Sequence, residues 1–332
     1  MVAIFLTHTP EMLENYYGPR ALAALERLGK VRRNETGTVL DAAALAREAK
    51  GAEIIVSDRQ TAGPAAVFEA CPDLVAFLRV AVDIRNIDVP AASRHGVLVS
   101  QATPGFIPSV AELAVGMMVD LARHVTPAVF DYRSGREATV RMGRQLKGST
   151  LGIIGYGAIG EYLAGLGVAL GMQVLVNDPH KTVTDPALRQ VPLEALLGQS
   201  DFVVCLVVAN NSTENLMNAA AFARMKPSAF FINLSRGNLV DEAALVRALD
   251  EKRIAGAAMD VGRAADQKPS LHLASRGDVI ATPHIAGLTP EAIEHQAFDT
   301  VRQAEALVRG EVPQGAVNLA SAARLERLRR NR

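Results

Sequence analysis

Short apolar runs alternate with segments of helical spacing along most of this chain. The runs predict buried strands, because strands covered on both faces are apolar at successive positions. Predicted strands cover residues 2–8, 30–33, 53–58, 74–82, 96–102, 151–154, 172–178, 201–208, 229–235, 254–261 and 278–284. Predicted helices cover residues 11–28, with Gly29 at the C′ position, and residues 42–50, 109–124, 161–171, 241–252 and 290–310. This alternation predicts an α/β protein built on parallel sheets.

Residues 150–160, with the sequence TLGIIGYGAIG, place a G-x-G-x-x-G turn between a predicted strand and a predicted helix. Gly155 allows the tight turn, and Gly157 lets the backbone approach a pyrophosphate. Gly160 lets the helix pack closely on the strand. A pyrophosphate would then lie at the helix N-terminus, where unpaired N–H groups and the helix dipole favour negative charge. The order strand, turn and helix is typical of a dinucleotide-binding site.

Asp178 ends the next predicted strand and is the second element of the dinucleotide-binding pattern. A carboxylate there accepts hydrogen bonds from the ribose hydroxyls of NAD and repels the additional phosphate of NADP. Lys181 lies just beyond it and would weaken that discrimination. The alternative is an ordinary strand–helix turn followed by an exposed aspartate. The sequence favours NAD as the cofactor.

Composition excludes several classes of function. The 332 residues suffice for two domains, and equal numbers of basic and acidic residues give no general attraction to nucleic acid. Cys71 and Cys205 lie in apolar surroundings and do not indicate a disulfide framework. No apolar run is long enough for a membrane span, and the first residues lack the features of a signal peptide. We expect a cytoplasmic protein without membrane contacts, nucleic-acid partners or a metal site.

Three residues that can carry chemistry follow or end predicted strands in the second half of the chain: Arg236, Asp260 and His284. The carboxyl ends of parallel strands share one edge of the sheet, and ligands bind there. Arg236 offers a planar fork of donors suited to a carboxylate or a polarised carbonyl. His284 can exchange a proton near neutral pH, and Asp260 can bind the nicotinamide carboxamide. Taken singly, such an arginine is often a surface ion-pair partner, and such a histidine is more often structural.

The sequence resembles the D-isomer-specific 2-hydroxyacid dehydrogenase family over nearly its whole length. The segments that carry the resemblance are NID, VAE, GIIGYGAIG, NLSRGNLVDEAAL, IAGAAMDV and TPHIAG, at residues 86–88, 110–112, 152–160, 233–245, 254–261 and 282–287. The resemblance implies a doubly wound Rossmann NAD-binding domain at residues 104–288. It also implies a flavodoxin-like substrate domain at residues 1–103 and 289–332, with a cleft between the two domains.

The resemblance also implies an activity and a mechanism. The family moves a hydride between nicotinamide and C2 of a small 2-hydroxy or 2-keto acid, acting on a CH–OH group. It implies that Arg236 holds the carboxylate and carbonyl of the substrate and that His284 exchanges the proton. It further implies a homodimer formed through the long helix that begins near Ser109. Cofactor contacts are expected from the following residues: Gly155, Tyr156, Gly157, Ala158, Ile159, Gly160, Asp178, Val207, Leu234, Ser235, Arg236, Asp260, His284 and Gly287.

One departure from the family pattern concerns the partner of His284. The family usually has a glutamate five residues after the aspartate of its A-x-D-V segment, and this chain has Ala265 there. A carboxylate partner raises the pKa of a histidine and fixes its tautomer. Without one, we expect a lower pKa for His284, unless Asp266 or Asp83 takes over that role.

A second departure lies at Ala81-Val82-Asp83, where the family usually has Gly-x-Gly. Those glycines let backbone N–H groups approach the substrate carboxylate, and Asp83 adds a side chain beside that anion. Either Asp83 turns away, or it takes a proton-transfer or hydroxyl-binding role. Val82, Asp83 and Arg59 are the predicted substrate-binding residues of the first domain, although Arg59 also suits a solvent-exposed loop.

Two other functions remain open from the sequence. The absence of the glutamate at Ala265 favours an NAD(H)-binding regulatory protein without turnover. The same fold also suits a dehydrogenase of a different small anion. The sequence does not determine the substrate or the direction of the reaction.

Overall fold

The computed structural model describes residues 1–264 and 266–330. The strands are β1 (Val2–Leu6), β2 (Gly29–Arg33), β3 (Ile54–Ser57), β4 (Ala76–Arg79), β5 (Leu98–Gln101), β6 (Thr150–Ile154), β7 (Gln173–Asn177), β8 (Leu188–Gln190), β9 (Phe202–Cys205), β10 (Phe230–Asn233), β11 (Gly256–Met259) and β12 (Val279–Ala281). The helices are α1 (Pro10–Tyr16), α2 (Pro19–Glu26), α3 (Ala42–Glu48), α4 (Ala65–Ala70), α5 (Val89–Arg94), α6 (Ile107–Arg123), α7 (Val125–Arg133), α8 (Ala158–Ala169), α9 (Leu193–Gln199), α10 (Ala219–Arg224), α11 (Glu242–Asp250), α12 (Leu271–Ala274), α13 (Pro290–Val308) and α14 (Leu325–Arg330).

The chain divides into two compact units. The first unit combines Met1–Gly105 with Thr289–Arg332, and the second is Phe106–Leu288. In the first unit, the described strands form a parallel sheet in the order β2-β1-β3-β4-β5. This is the flavodoxin-like strand order. One face of the sheet packs on α2 and α13, and the other packs on a core that includes Phe68 and Phe77.

The second unit contains a larger parallel sheet. Its described strands run in the order β12-β11-β10-β9-β6-β7-β8, so the strand order reverses beside β6, as in a doubly wound Rossmann sheet. The side chains of β6 alternate between the two faces of the sheet, as expected for a strand. Leu151 and Ile153 lie in one core, and Ile154 lies in the other. The predicted α/β class with parallel sheets is confirmed.

The two longest helices each begin with a proline in the first turn. Proline suits that position because its fixed φ fits the helix and its missing N–H would have no intrahelical partner. In α13, the Thr289 hydroxyl accepts a bond from the Ala292 N–H at 3.3 Å, which caps the helix before Pro290. In α6, the small residues Ala111 and Ala114 are fully buried, so the helix packs closely against α8 and the sheet.

Among residues 1–264 and 266–330, no single helix has the length and apolar character needed to cross a membrane. The pair α6 and α7, bent by 70°, would meet that test together on length and composition alone.

The prediction of one helix over residues 11–28 was wrong. The structure has two helices there, which are separated at Tyr17 and Gly18. Gly18 has a φ of 85°, and Pro19 begins the second helix, where it cannot donate the hydrogen bond that would continue the first. Gly29 is therefore not a helix C′ residue but the first residue of β2, and a side chain there would overlap the Val2 carbonyl.

Several predicted strands were too long. The apolar runs at residues 74–82 and 201–208 form strands only over Ala76–Arg79 and Phe202–Cys205. Val80 and Ala81 follow β4 and are also buried, so the apolar pattern of the sequence continues past the end of that strand. The edge strand β8 was missed, since its sequence LRQ has no apolar run. Several short helices also lacked a clear periodic signal.

His8 is a buried titratable residue in the first unit. It is 2 % exposed, its ring lies 5.1 Å from the Tyr17 ring, and its Nδ1 has no hydrogen-bond partner. Burial lowers the pKa of His8 to about 4, and Asp58 nearby opposes that shift only in part. The imidazole is therefore neutral in the folded protein.

Replacing His8 with phenylalanine is expected to reduce the acid sensitivity of the fold. Below the ordinary pKa of 6.5, the unfolded chain binds a proton at His8 that the folded chain does not bind. The free energy of unfolding therefore falls as the pH drops, and the total loss from this group near its folded pKa is about 3 kcal/mol. Urea unfolding at about pH 7 and about pH 5 should show a difference about 2 kcal/mol smaller in His8→Phe than in the wild type. The exposed His272 provides the control, because His272→Gln should leave the difference unchanged.

Candidate functional site

The glycine turn between β6 and α8 has the geometry that its sequence predicts. Gly155 has a φ of 96°, a conformation that residues with a side chain rarely adopt. A side chain at Gly155 would also lie 2.9 Å from the Val207 nitrogen in the loop after β9. A side chain at Gly160 would overlap the Gly155 carbonyl, so close packing between turn and helix requires glycine there. Protein packing alone explains both of these glycines.

Gly157 is different, because nothing in the protein itself requires a glycine at that position. Its φ is −75°, which any residue adopts, and no atom lies within 4 Å of where a Cβ would stand. Gly157 and Ala158 are exposed at the start of α8, and no side chain caps the first turn. The open space above Gly157 and the uncapped N–H groups fit a bound pyrophosphate, which approaches such a backbone closely.

Replacing Gly157 with valine is expected to weaken NADH binding without destabilising the protein. The side chain would occupy the open space over the turn, and a loss of close phosphate contact should raise the Kd for NADH about tenfold. Fluorescence titration of NADH measures the Kd, and thermal unfolding measures the stability. Gly165 on α8 provides the matched control, because a side chain there also meets no atom within 4 Å. An unchanged Kd in Gly157→Val would contradict this assignment of the turn.

Asp178 follows β7 and contacts the glycine turn directly. One carboxylate oxygen accepts a bond from the Tyr156 N–H at 2.8 Å, and the other accepts bonds from the N–H groups of His180 and Lys181 at 2.8 and 3.1 Å. Burial opposes ionisation, but these backbone bonds outweigh it and hold the pKa of Asp178 below its usual value. The carboxylate is therefore ionised beside the turn, and it retains acceptor capacity for ribose hydroxyls.

The other predicted cofactor residues surround the turn in different ways. Ala158 is exposed, whereas Ile159 is half-buried and packs on the core beneath α8. Leu234 is buried, with only 6 % of the residue exposed. Val207 packs partly on the core after β9. A side chain at Gly287 would lie 3.2 Å from the Phe106 Cβ.

Arg236 lies in the loop after β10, and buried polar groups fix that loop. The fully buried Asn233 donates to the Arg236 carbonyl at 2.9 Å and accepts from the Ser235 N–H at 3.1 Å. The Ser235 hydroxyl donates to the Val207 carbonyl at 2.6 Å. The Arg236 guanidinium donates to the Ser235 carbonyl at 2.8 Å. The loop that carries Arg236 is therefore bound to the loop after β9.

Arg263 holds the continuation of the same loop. Its guanidinium donates to the carbonyls of Asn238 and Val240, at 3.1 and 2.9 Å, and forms an ion pair with Glu214 at 2.9 Å. The backbone approach is also close, because a side chain at Gly237 would overlap the backbone of residue 262. The loops after β9, β10 and β11 are thus joined at one edge of the sheet.

His284 lies in the loop after β12, and Asp260 anchors that loop. Asp260 is fully buried, and its carboxylate accepts bonds from the Thr282 hydroxyl at 2.6 Å and from the N–H groups of Ile285 and Ala286 at 2.8 and 2.9 Å. His284 has a φ of 60°, an unusual conformation for a residue with a side chain. The three groups that donate to the Asp260 carboxylate lie on both sides of His284 in the sequence, and these bonds hold its backbone conformation. A contact of Asp260 with nicotinamide stays a prediction beside these three bonds to the loop.

The predicted substrate residues of the first unit lie in loops at the carboxyl edge of its sheet. Arg59 is exposed and follows β3, while Val82 and Asp83 are half-buried and follow β4. Asp83 forms an ion pair with Arg85, with Nη2 and Oδ2 2.6 Å apart. These residues occupy the edge of a parallel sheet where ligands bind in such folds.

A fully buried arginine joins the two loops. The guanidinium of Arg79 donates to the Asp58 carbonyl, to the Thr61 carbonyl at 3.0 Å and to the Asn86 side chain at 2.6 Å. Burial lowers the pKa of Arg79 to about 10, so the group stays charged at neutral pH. The loops that carry Arg59 and Asp83 are therefore held rigidly.

The family's missing glutamate position, Ala265, lies outside the described residues. Of the two carboxylates predicted to replace it, Asp266 is exposed and forms an ion pair with Lys268 at 3.2 Å. Asp83 forms its ion pair with Arg85. A contact of either carboxylate with His284 stays a prediction.

Sequence reasoning missed Asn233, Arg263 and Arg79 as residues that fix the site loops. For Asn233 and Arg79 a signal existed, because each is a polar residue inside an apolar run that predicts a buried strand. For Arg263 there was none, since its partner Glu214 is 49 positions away.

Comparison with known proteins supports the interpretation of the second unit as a dinucleotide-binding unit. Residues 115–286 match the family model described as D-isomer specific 2-hydroxyacid dehydrogenase, NAD binding domain. The chain is 33 % identical over 254 residues to hydroxypyruvate reductase of Thermotoga maritima, a match that covers 76 % of this chain and 83 % of that one. It is 35 % identical over 257 residues to D-3-phosphoglycerate dehydrogenase of a Synechocystis strain, covering 76 % of this chain and 46 % of the relative. The chain thus spans about half the length of that relative.

The fold is also shared with a solved structure. D-lactate dehydrogenase of Aquifex aeolicus, solved with NAD and lactic acid, is 26 % identical, with a TM-score of 0.75 over 95 % of this chain and 99 % of that one. The family model covers the glycine turn, Asp178, Arg236 and His284. The chain therefore belongs to the D-isomer specific 2-hydroxyacid dehydrogenase family, and its second unit contains the NAD-binding domain of that family.

Proposed function

We propose that the protein is an NAD-dependent oxidoreductase that transfers a hydride between nicotinamide and a small 2-hydroxy or 2-keto acid. One observation carries the proposal. The loops of Arg236 and His284 follow β10 and β12 of the same parallel sheet in which β6 leads into the glycine turn. A donor for an anion, a proton carrier and a pyrophosphate site therefore belong to one sheet edge.

Each residue has a defined role in the proposed reaction. Arg236 binds the substrate carboxylate and polarises its carbonyl by charge-assisted hydrogen bonds. His284 gives a proton to the keto oxygen during reduction or takes one from the hydroxyl during oxidation. The nicotinamide cofactor, when bound, would supply a hydride from C4 as NADH or accept one at C4 as NAD⁺. The cofactor-holding residues are Gly155, Tyr156, Gly157, Ala158, Ile159, Gly160, Asp178, Val207, Leu234, Ser235, Asp260 and Gly287.

We assign substrate binding also to Val82, Asp83 and Arg59 in the first unit. Residues 1–103 and 289–332 would then form the substrate domain, and residues 104–288 the cofactor domain. Support comes from the position of the three residues after β3 and β4, at the carboxyl edge of a flavodoxin-like sheet.

A homodimer formed through α6 and α7 is part of the proposal. Exposed apolar side chains cluster in sequence on these helices: Val119, Val125, Val129, Phe130 and Tyr132. Apolar surface of this kind is typical of a subunit interface. Light scattering on the purified 35.3 kDa chain should give the mass of a dimer. A cytoplasmic location stays a prediction of the sequence.

The proposed activity is tested by NADH consumption with a panel of small 2-keto acids. We expect absorbance loss at the NADH band with at least one of them, and a slower reaction with NADPH because Asp178 repels the additional phosphate. NADH binding without turnover of any acid would contradict the proposed activity.

Two alternatives give different results in the same assay. Ala265 removes the usual partner of the catalytic histidine, which favours an NAD(H)-binding regulatory protein without turnover. Tight NADH binding, no turnover and a specific protein partner would support that function. Turnover of formate or a non-carbon oxyanion in place of a 2-keto acid would indicate a dehydrogenase of a different small anion.

A further inference from the structure

The loop after β4 contains a negative charge where the proposed function, on which this inference rests, requires an anion to bind. Asp83 stands in this loop, and its side chain is 40 % exposed. An unpaired carboxylate there would repel the carboxylate of a 2-keto acid and raise its Kd or KM.

Arg85 neutralises that charge with well-defined geometry. Its Nε lies 3.0 Å from both Asp83 oxygens, its Nη2 lies 2.6 Å from Oδ2, and its own backbone N–H donates to Oδ1 at 3.0 Å. Planar contact of one guanidinium with both oxygens of a carboxylate is the strongest arrangement for such a pair. The ion pair raises the pKa of Arg85 further above its usual value.

The backbone of the loop is fixed, so Asp83 cannot avoid the anion by moving the whole loop away. The Ile87 N–H donates to the Ile84 carbonyl at 2.9 Å, and the Gly63 N–H donates to the Asn86 carbonyl at 3.0 Å. The fully buried Arg79 holds the Asn86 side chain at 2.6 Å. Any relief of repulsion must therefore come from the direction and charge of the side chains.

We propose that Arg85 is a positioning residue for substrate binding, which holds Asp83 as a neutral ion pair and so allows an acidic residue in the loop that receives the substrate carboxylate. Arg85 acts through Asp83 and does not itself need to touch the substrate. Its loss should affect the binding of anions and leave the proton-transfer step and NADH binding unchanged.

The test uses the full chain with NADH bound and measures the Kd of oxamate, a monoanionic isostere of pyruvate, by NADH fluorescence. Arg85→Gln removes the positive charge that pairs with Asp83 and makes the loop more negative, and we expect the Kd for oxamate to rise about tenfold. Arg85→Lys keeps the charge and should stay within about threefold of the wild type. The double variant Asp83→Gly with Arg85→Gln removes both charges and should recover most of the affinity.

Arg47 provides a matched control, because it forms a similarly exposed ion pair with Glu48 in the same unit, 3.1 Å long. Arg47→Gln should leave the Kd for oxamate unchanged. An unchanged Kd in Arg85→Gln, or a double variant as weak as that single variant, would overturn the proposal. With an active enzyme, the KM for the keto acid should follow the same series while kcat changes little.

The same experiment separates the two proposals. Oxamate binding without turnover of any 2-keto acid would overturn the proposed activity alone, and the Kd series would still decide the role of Arg85. No binding of oxamate to the wild-type complex would overturn both.

Discussion

Replacing His284 with glutamine is expected to lower kcat by about 10²–10⁴-fold, the usual contribution of a positioned acid–base residue. Glutamine keeps a hydrogen-bond donor at the site but cannot release and regain a proton near neutral pH. The Kd for NADH should change little, because the glycine turn and Asp178 supply the contacts expected for the other end of the cofactor. Steady-state kinetics with the best 2-keto acid and NADH titration measure the two quantities.

The control for this variant should be a histidine that has the same backbone conformation as His284 but lies away from the candidate site. His124 has a φ of 56°, close to the 60° of His284, and it directly follows α6. His124→Gln should leave kcat unchanged, so any general effect of glutamine in the left-handed region is accounted for. A His284→Gln enzyme with nearly normal kcat would show that another group carries the proton.

Replacing Asp260 with asparagine is expected to lower kcat by about 10²-fold, because a disturbed loop would lose part of the 10²–10⁴-fold that a positioned acid–base residue contributes. Asparagine keeps the shape of the side chain but turns an N–H₂ group toward donors from Thr282, Ile285 or Ala286. The loop would then lose the conformation that sets the direction of His284. Kinetics should be measured well below the unfolding temperature, because a disturbed buried carboxylate also lowers stability.

The cofactor affinity of Asp260→Asn distinguishes two roles for this residue. If Asp260 mainly positions the loop, kcat falls and the Kd for NADH stays within about threefold of the wild-type value. If its main role is contact with the nicotinamide carboxamide, the Kd for NADH rises together with the loss of kcat. The three observed bonds to the loop favour the first result.

Local patterns were sufficient to predict the positions of the loops that carry the candidate site residues. The glycine turn, Asp178 and the strand ends before Arg236 and His284 depend on short segments of sequence, where strand, turn and helix signals agree. The Gly18-Pro19 pair also carried a local signal, a glycine before a proline, that the prediction of one long helix overlooked.

The contacts that fix the loops depend on tertiary distances that no local pattern encodes. Asp260 and Ala286 are 26 positions apart, and Arg79 and Thr61 are 18 apart. Likewise, nothing in the sequence VAIFLTH indicates that His8 has a neutral ring tilted against the Tyr17 ring. Burial determines the pKa values of such groups and also which partners they contact. Burial in turn depends on how the strands assemble into a sheet.

The most direct measurement of the proposed chemistry uses NADH that carries deuterium at C4 of the nicotinamide ring. The wild-type protein is incubated with the 2-keto acid that it reduces fastest, and the product is examined by mass spectrometry and NMR. We expect deuterium at C2 of a 2-hydroxy acid from one face-specific label, with the transfer lost together with kcat in His284→Gln. A product without deuterium at C2 from either labelled face, or no 2-hydroxy acid at all, would contradict hydride transfer to a 2-keto acid by this protein.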